Sequence, residues 1–123
     1  TEYGLPVYHR DELVNNPTHP YIGKYSGEED NSRKPAYHNG TAWTWPFPSY
    51  CEALVKVYGE NALSRAGDIL STSMKLFNSG CINQLPEILD GNYPHFQKGC
   101  YAQAWGITEF FRVAKLLKIT SQV

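Results

Sequence analysis

The stretch Trp43-Thr-Trp-Pro-Phe-Pro-Ser-Tyr-Cys-Glu-Ala-Leu-Val-Lys-Val-Tyr58 decides the fold class. Within it Phe47, Tyr50, Cys51, Leu54, Val55 and Tyr58 recur at the three- and four-residue intervals of one helical face. Pro46 and Pro48 are compatible with a helix only in its first turn, where a missing N–H breaks no hydrogen bond. Gly59 supplies a stop. The pattern predicts a helix over residues 43–58.

Reading outward, Asn61 is placed to N-cap a second helix over residues 61–79, ended by Gly80. Its apolar stripe is Ala66, Ile69, Leu70, Ser73 and Phe77. A third helix is predicted over 100–118, with Ile107, Phe110, Phe111, Ala114 and Leu117 on one side. Lys115 and Lys118 in its last turns complement the negative helix end. No sustained period-two alternation occurs, so few strands are expected and the architecture reads as all-α.

Residues 1–35 carry Pro6, Pro17, Pro20, Pro35, Gly23 and Gly27 and only short apolar runs. They read as a loop arm extending to residue 42, ahead of a helical unit at 43–118. So long an irregular stretch implies that the surface it packs on lies outside the chain. With Thr1 first and Met74 the only Met, the expectation is a fragment, with exposed apolar surface that it hides by self-association.

Eleven basic and twelve acidic residues leave a net charge of -1. There is no basic stripe to follow phosphates, which argues against nucleic acid as a partner. No apolar run has the length of a membrane span and no signal peptide opens the sequence. Cys51, Cys81 and Cys100 have no zinc-like spacing, so a reduced, cytoplasmic protein is expected. Cys51 lies on an apolar face, and Cys81 and Cys100 are open to pairing. Without a secretory signal, Asn39-Gly-Thr41 is a chance sequon. Aromatic residues make up 14% of the chain, and such side chains either pack a core or stack on sugar rings.

Two loops and one helix start concentrate aromatic and hydrogen-bonding side chains: residues 37–45, 85–91 and 99–105. Aimed at one end of a helical bundle, they suit a polyhydroxylated ligand. Ala36-Tyr-His-Asn-Gly-Thr-Ala-Trp-Thr-Trp45, Leu85-Pro-Glu-Ile-Leu-Asp-Gly91 and Lys98-Gly-Cys-Tyr-Ala-Gln-Ala-Trp105 resemble, in order and spacing, the C-terminal amylo-α-1,6-glucosidase domain of glycogen debranching enzymes. The resemblance runs from about residue 4 to 117. It departs from the family in the prolines of residues 44–48 and in Gly106, where Ser is frequent.

The resemblance implies the C-terminal portion of an (α/α)6 barrel, about three helices of it, preceded by an extended arm. It implies hydrolysis of α-1,6-linked glucose at branch points of glycogen or limit dextrin with inversion. Such chemistry needs one carboxylic acid and one carboxylate base about 6.5–9.5 Å apart. The family's base falls on Glu87; read without the resemblance, Glu87 is a solvated or helix-capping residue. The general acid is expected upstream of Thr1, which leaves this segment inactive alone and dependent on upstream barrel helices. Substrate contacts are assigned to Tyr37, His38, Asn39, Trp43, Trp45, Asp90, Gln103 and Trp105. Read alone, the tryptophans are core residues, Asp90 bonds its own Asp-Gly turn, and the polar residues of 37–39 hold a loop. Neither cofactor nor metal is expected, since His38 and His95 lack ligand spacing. Alternatives are another helical-barrel glycosidase, glucoamylase- or trehalase-like, and a non-catalytic helical interaction module.

Overall fold

The computed structural model describes residue 18 and residues 20–119. Along the chain, α1 (Lys34–His38) is entered through a π turn at Glu29–Arg33, and is followed by β1 (Ala42–Trp43) and α2 (Pro46–Tyr58). Next come α3 (Leu63–Thr72), framed by 3-10 turns at Gly59–Ala62 and Ser73–Asn78, then β2 (Ile88–Leu89), β3 (Gln97–Lys98) and α4 (Ala104–Leu116). The described chain is mainly helical, with one small sheet that the sequence reading does not anticipate.

α2 forms where its periodicity requires, with Pro46 in the first turn and Phe47, Pro48 and Cys51 buried. It ends at Gly59, whose φ of 68° is a left-handed conformation available to glycine without steric cost, and whose N–H bonds the Val55 carbonyl. The helix starts three residues later than predicted because Trp43 is held in the sheet opposite Ile88. Tyr50 and Tyr58, assigned to the buried face, are exposed.

The second predicted helix is continuous in path but mixed in type. Asn61 does not cap it, since Asn61 lies inside the 3-10 turn and the α3 N-cap position is Ala62. Its stripe is otherwise borne out: Ala66, Leu70, Ser73 and Phe77 are buried and Ile69 packs against the core. At its end the hydroxyls of Ser71, Thr72 and Ser73 donate to the carbonyls of Asp68, Ile69 and Leu70 at 2.8, 2.7 and 2.7 Å. Hydroxyls that reach back three residues compete for the α-helical acceptors, which accounts for the change to 3-10 geometry.

The third helix begins at Ala104 rather than near residue 100 because the backbone of Cys100 is already engaged. Its carbonyl accepts the Glu87 N–H at 2.8 Å, and its N–H donates to Glu87 Oε2 at 3.0 Å. At the other end Lys118 takes φ 56°. Ile119 N–H bonds Ala114 and Lys118 N–H bonds Lys115, at 2.9 and 3.2 Å, the paired closure of a Schellman motif. Ile119 completes it by packing on the core.

The proposed loop arm is in part helical, at residues 29–38, with Ala36 buried. Residues 20–28 form no helix or strand and are tied down by Ile22 N–H to the Asn39 carbonyl at 3.0 Å. Residues 1–17 and His19, with Pro6 and Pro17 of the predicted arm, lie outside the described residues. The sheet runs β1-β2-β3, antiparallel throughout, pairing Ala42 with Leu89, Trp43 with Ile88, Ile88 with Lys98 and Leu89 with Gln97.

Phe47, Cys51, Leu70, Leu76, Phe77, Leu85, Leu89, Phe110 and Val113 form the centre of the core where α2, α3 and α4 meet. Outside it Arg112 Nη2 bridges Glu52 and Glu109 at 2.6 and 2.9 Å, linking α2 to α4. Hydrogen bonds from Lys56 first and Arg112 second hold the Glu52 carboxyl below its ordinary range. Several large apolar side chains are left exposed, among them Val57, Ile82, Tyr93 and Phe96. No helix among the described residues is long and apolar enough to cross a membrane.

All three cysteines are free, with Cys51 buried and Cys81 and Cys100 exposed. Burial pushes the Cys51 thiol up to about 11, so at mildly alkaline pH it remains protonated and shielded. With Ellman's reagent at pH 8 the folded protein is expected to show fast reaction at Cys81 and Cys100 and none at Cys51 until denaturant is added. A fast reaction at Cys51, measured in a variant with Cys81 and Cys100 replaced by Ser, contradicts the packing of α2.

Candidate functional site

The segment before β2 is fixed from below. Leu85 and Pro86 are buried. Thr44 Oγ1 donates to the Pro86 carbonyl at 2.5 Å and approaches that of Glu87 at 3.3 Å, and the Thr44 N–H reaches the Glu87 carbonyl at 3.2 Å. α4 closes over this point with Gly106, where an added Cβ meets Thr44 Oγ1 at 2.9 Å. There is thus little room at position 106 for the Ser frequent in the resembling family.

The Glu87 backbone is therefore immobilised while its carboxylate reaches the other way. The Tyr37 hydroxyl donates to Oε1 and the Cys100 N–H donates to Oε2. Gly99 makes the second contact accessible. It adopts φ 69°, and a Cβ there falls 2.5 Å from Glu87 Oε2, so both backbone conformation and close approach call for glycine. A carboxylate has about four lone-pair positions, so two donors leave it able to accept a proton from a further partner.

Tyr37 is held by its own surroundings. Its ring meets Trp43 edge-on at 4.4 Å, His38 at 5.3 Å and Tyr25 at 5.9 Å. Its carbonyl accepts Trp43 Nε1–H at 3.2 Å and the Thr41 hydroxyl at 3.0 Å. Burial first, then the hydrogen bond to Glu87 and the charge of that carboxylate, move the phenol above its ordinary range. It is a protonated donor at any physiological pH.

Beside this pair opens a hollow of about 420 Å³, lined by Tyr25, Glu29, Arg33, Lys34, Tyr37, His38 and Glu87. Three of the residues singled out from sequence, Glu87, Tyr37 and His38, line it, and Trp43 stands behind Tyr37. Asp90 supports the wall from underneath: buried, it accepts the Tyr25 N–H on Oδ1 at 2.8 Å. Its carbonyl faces His95 Nδ1 at 2.9 Å, giving that histidine a structural role. Asn39 is buried, and its carbonyl fastens the arm through Ile22.

The remaining three lie off this lining. Trp45 and Trp105 stack on each other, with centroids 4.4 Å apart and planes 15° apart. Gln103 precedes α4 without capping it, and its Oε1 is buried with no partner. Tyr25, Glu29, Arg33 and Lys34 are not among the sequence candidates because they fall within residues 1–42, a stretch whose prolines and glycines read as loop. The four-residue spacing of Arg33 and Tyr37 was the available signal. Thr44 and Gly99 lie inside the quoted motifs but were not chosen. Among the described residues no cluster of His, Cys, Asp and Glu is arranged to hold a metal ion.

Residues 12–112 match the family model described as amylo-alpha-1,6-glucosidase. No curated protein and no solved structure matches the chain.

Proposed function

We propose, from the premise that the chain belongs to the amylo-alpha-1,6-glucosidase family, that it forms part of an inverting glycoside hydrolase. The substrate is α-1,6-linked glucose at branch points of glycogen or limit dextrin, and Glu87 is the general base. The observation that supports this best is the presentation of Glu87. Its backbone is pinned by Thr44 and Cys100, and its carboxylate is oriented by Tyr37 and Cys100 at the edge of an aromatic-walled hollow.

Inversion requires water to attack the anomeric carbon from the face opposite the leaving oxygen. A base for that water must be ionised before the reaction, correctly aimed, and still able to accept. Donors on both oxygens of Glu87 fix the plane of its carboxylate. Tyr37, His38 and Tyr25 supply ring faces and hydrogen-bonding groups for a glucose unit, and Asp90 acts through Tyr25 by holding the wall in place. The acid that protonates the leaving oxygen belongs to another segment of an (α/α)6 barrel, to which the α2–α3 hairpin contributes one of the paired units. The segment by itself is then inactive.

The stereochemistry of the product tests this reading. In the complete protein acting on a branched limit dextrin, proton NMR during the first minutes is expected to show β-glucose ahead of its mutarotation. Initial release of α-glucose overturns the inverting assignment. Hydrolysis of trehalose at a comparable rate moves the chain to another kind of helical-barrel glycosidase.

A further inference from the structure

α2 and α4 meet along a seam whose pairs advance in step. Trp45 stacks on Trp105, with centroids 4.4 Å apart and planes 15° apart. Four residues on in each segment, the Ser49 hydroxyl donates to Glu109 Oε2 at 3.2 Å. Three further on, Arg112 Nη2 donates to Glu52 Oε2 at 2.6 Å. Steps of four and three residues keep side chains on one face of a helix, so the three pairs form a ladder. It spans about 10 Å of helix rise, room for more than one sugar ring. Trp105 is half-exposed and the side chains of Glu109 and Arg112 partly so, which leaves the ladder open to solvent.

The make-up of the ladder indicates what it can hold. Its first rung is planar and apolar, each indole braced by the other. The next two are hydrogen-bonding, and their charges cancel, Glu52 and Glu109 against Arg112 and Lys56. A helix seated here brings apolar side chains onto Glu109 and Arg112 and strips their hydration. A polyanion finds no excess of positive charge. A neutral chain of sugar rings suits both parts, with C–H faces on the indole and hydroxyls on the polar rungs. The ladder adjoins the Glu87 segment without lining the hollow. Thr44, which pins the Glu87 backbone, precedes Trp45, and Gly106, which packs on Thr44, follows Trp105. We propose that this seam is a second glucan-contacting surface, holding a linear α-1,4-linked stretch of the polymer while the branch-point glucose lies at Glu87. The kind of sugar rests on the glucosidase reading above.

The test uses the complete protein with branched limit dextrin and with α-glucosyl fluoride, which offers a single glucose and no chain. In Trp105→Ala the ratio of kcat/KM on the dextrin to that on the fluoride is expected to fall about tenfold, the loss lying in KM. Trp105→Tyr keeps an aromatic ring and should restore most of the ratio. Calorimetric titration with maltohexaose, which has no α-1,6 bond to cut, reads binding without turnover. Trp105→Ala should bind it about tenfold more weakly. An unchanged ratio and an unchanged maltohexaose Kd overturn the proposal. So does an equal loss on both substrates with a lower melting temperature, the mark of a tryptophan covered by another part of the protein. A wild type that cleaves neither substrate contradicts the glucosidase reading, yet the maltohexaose comparison still decides the role of the seam.

Discussion

Glu87→Gln is expected to lower glucose release from a branched limit dextrin by about 10²–10⁴-fold, the usual contribution of a general base. Affinity for the dextrin should change only a few-fold, because the lost group activates water rather than holding sugar. The fold should tolerate the change. The glutamine carbonyl can take the Cys100 N–H, whose direction is fixed. Its NH₂ then faces Tyr37, whose hydroxyl can rotate from donor to acceptor. Asp90→Asn provides the control. Asp90 is buried and accepts the Tyr25 N–H, a bond that an amide oxygen can still make, so a loss of only a few-fold is expected. Near-normal turnover of Glu87→Gln in a coupled glucose assay removes Glu87 as the base and sends the role to Asp90 or outside this segment.

Phe110→Ala should cost about 3–5 kcal/mol of stability, the range for emptying a large aromatic from a core that cannot collapse around the gap. Phe110 is 2% exposed and meets the edge of Phe77 at 5.0 Å, where α4 docks on the rest of the core. Its neighbour Phe111 is 48% exposed, and Phe111→Ala should cost less than about 1 kcal/mol. Urea midpoints of the two variants separate them, and equal shifts are incompatible with docking of α4 through the Phe110 face. Activity should follow stability in the first variant, because α4 carries Gly106, which packs against the threonine that pins Glu87.

The difference between these two phenylalanines also shows what sequence can and cannot convey. Both belong to the apolar stripe of the third helix, and the periodicity that located the helix could not rank them. Rank depends on which face meets Phe77 and which meets solvent. Helix interiors were legible because Phe47, Cys51, Leu70 and Phe110 obey a local rule. Helix ends were not, where distant groups intervene: Trp43 is withdrawn from α2 by Ile88, and Cys100 from α4 by Glu87. The three strands have two residues each, too few to display an alternation. Of the residues lining the hollow, Tyr37 and His38 were legible as hydrogen-bonding groups in an aromatic-rich segment, and Glu87 only through the family resemblance of Leu85-Pro-Glu. Arg33 was hidden because a proline- and glycine-bearing stretch reads as loop, although its last ten residues before Asn39 wind into helical turns.

The pairing of Trp43 with Ile88 joins positions about 45 residues apart in the chain, a long loop to close from a disordered state. The helices between them serve as a splint, folding most of that length into local turns and bringing the two strands within reach. Local helical contacts form on a faster timescale than a distant strand pairing. The expected order of assembly is helices first, with the small sheet that carries the backbone next to Glu87 closing after them.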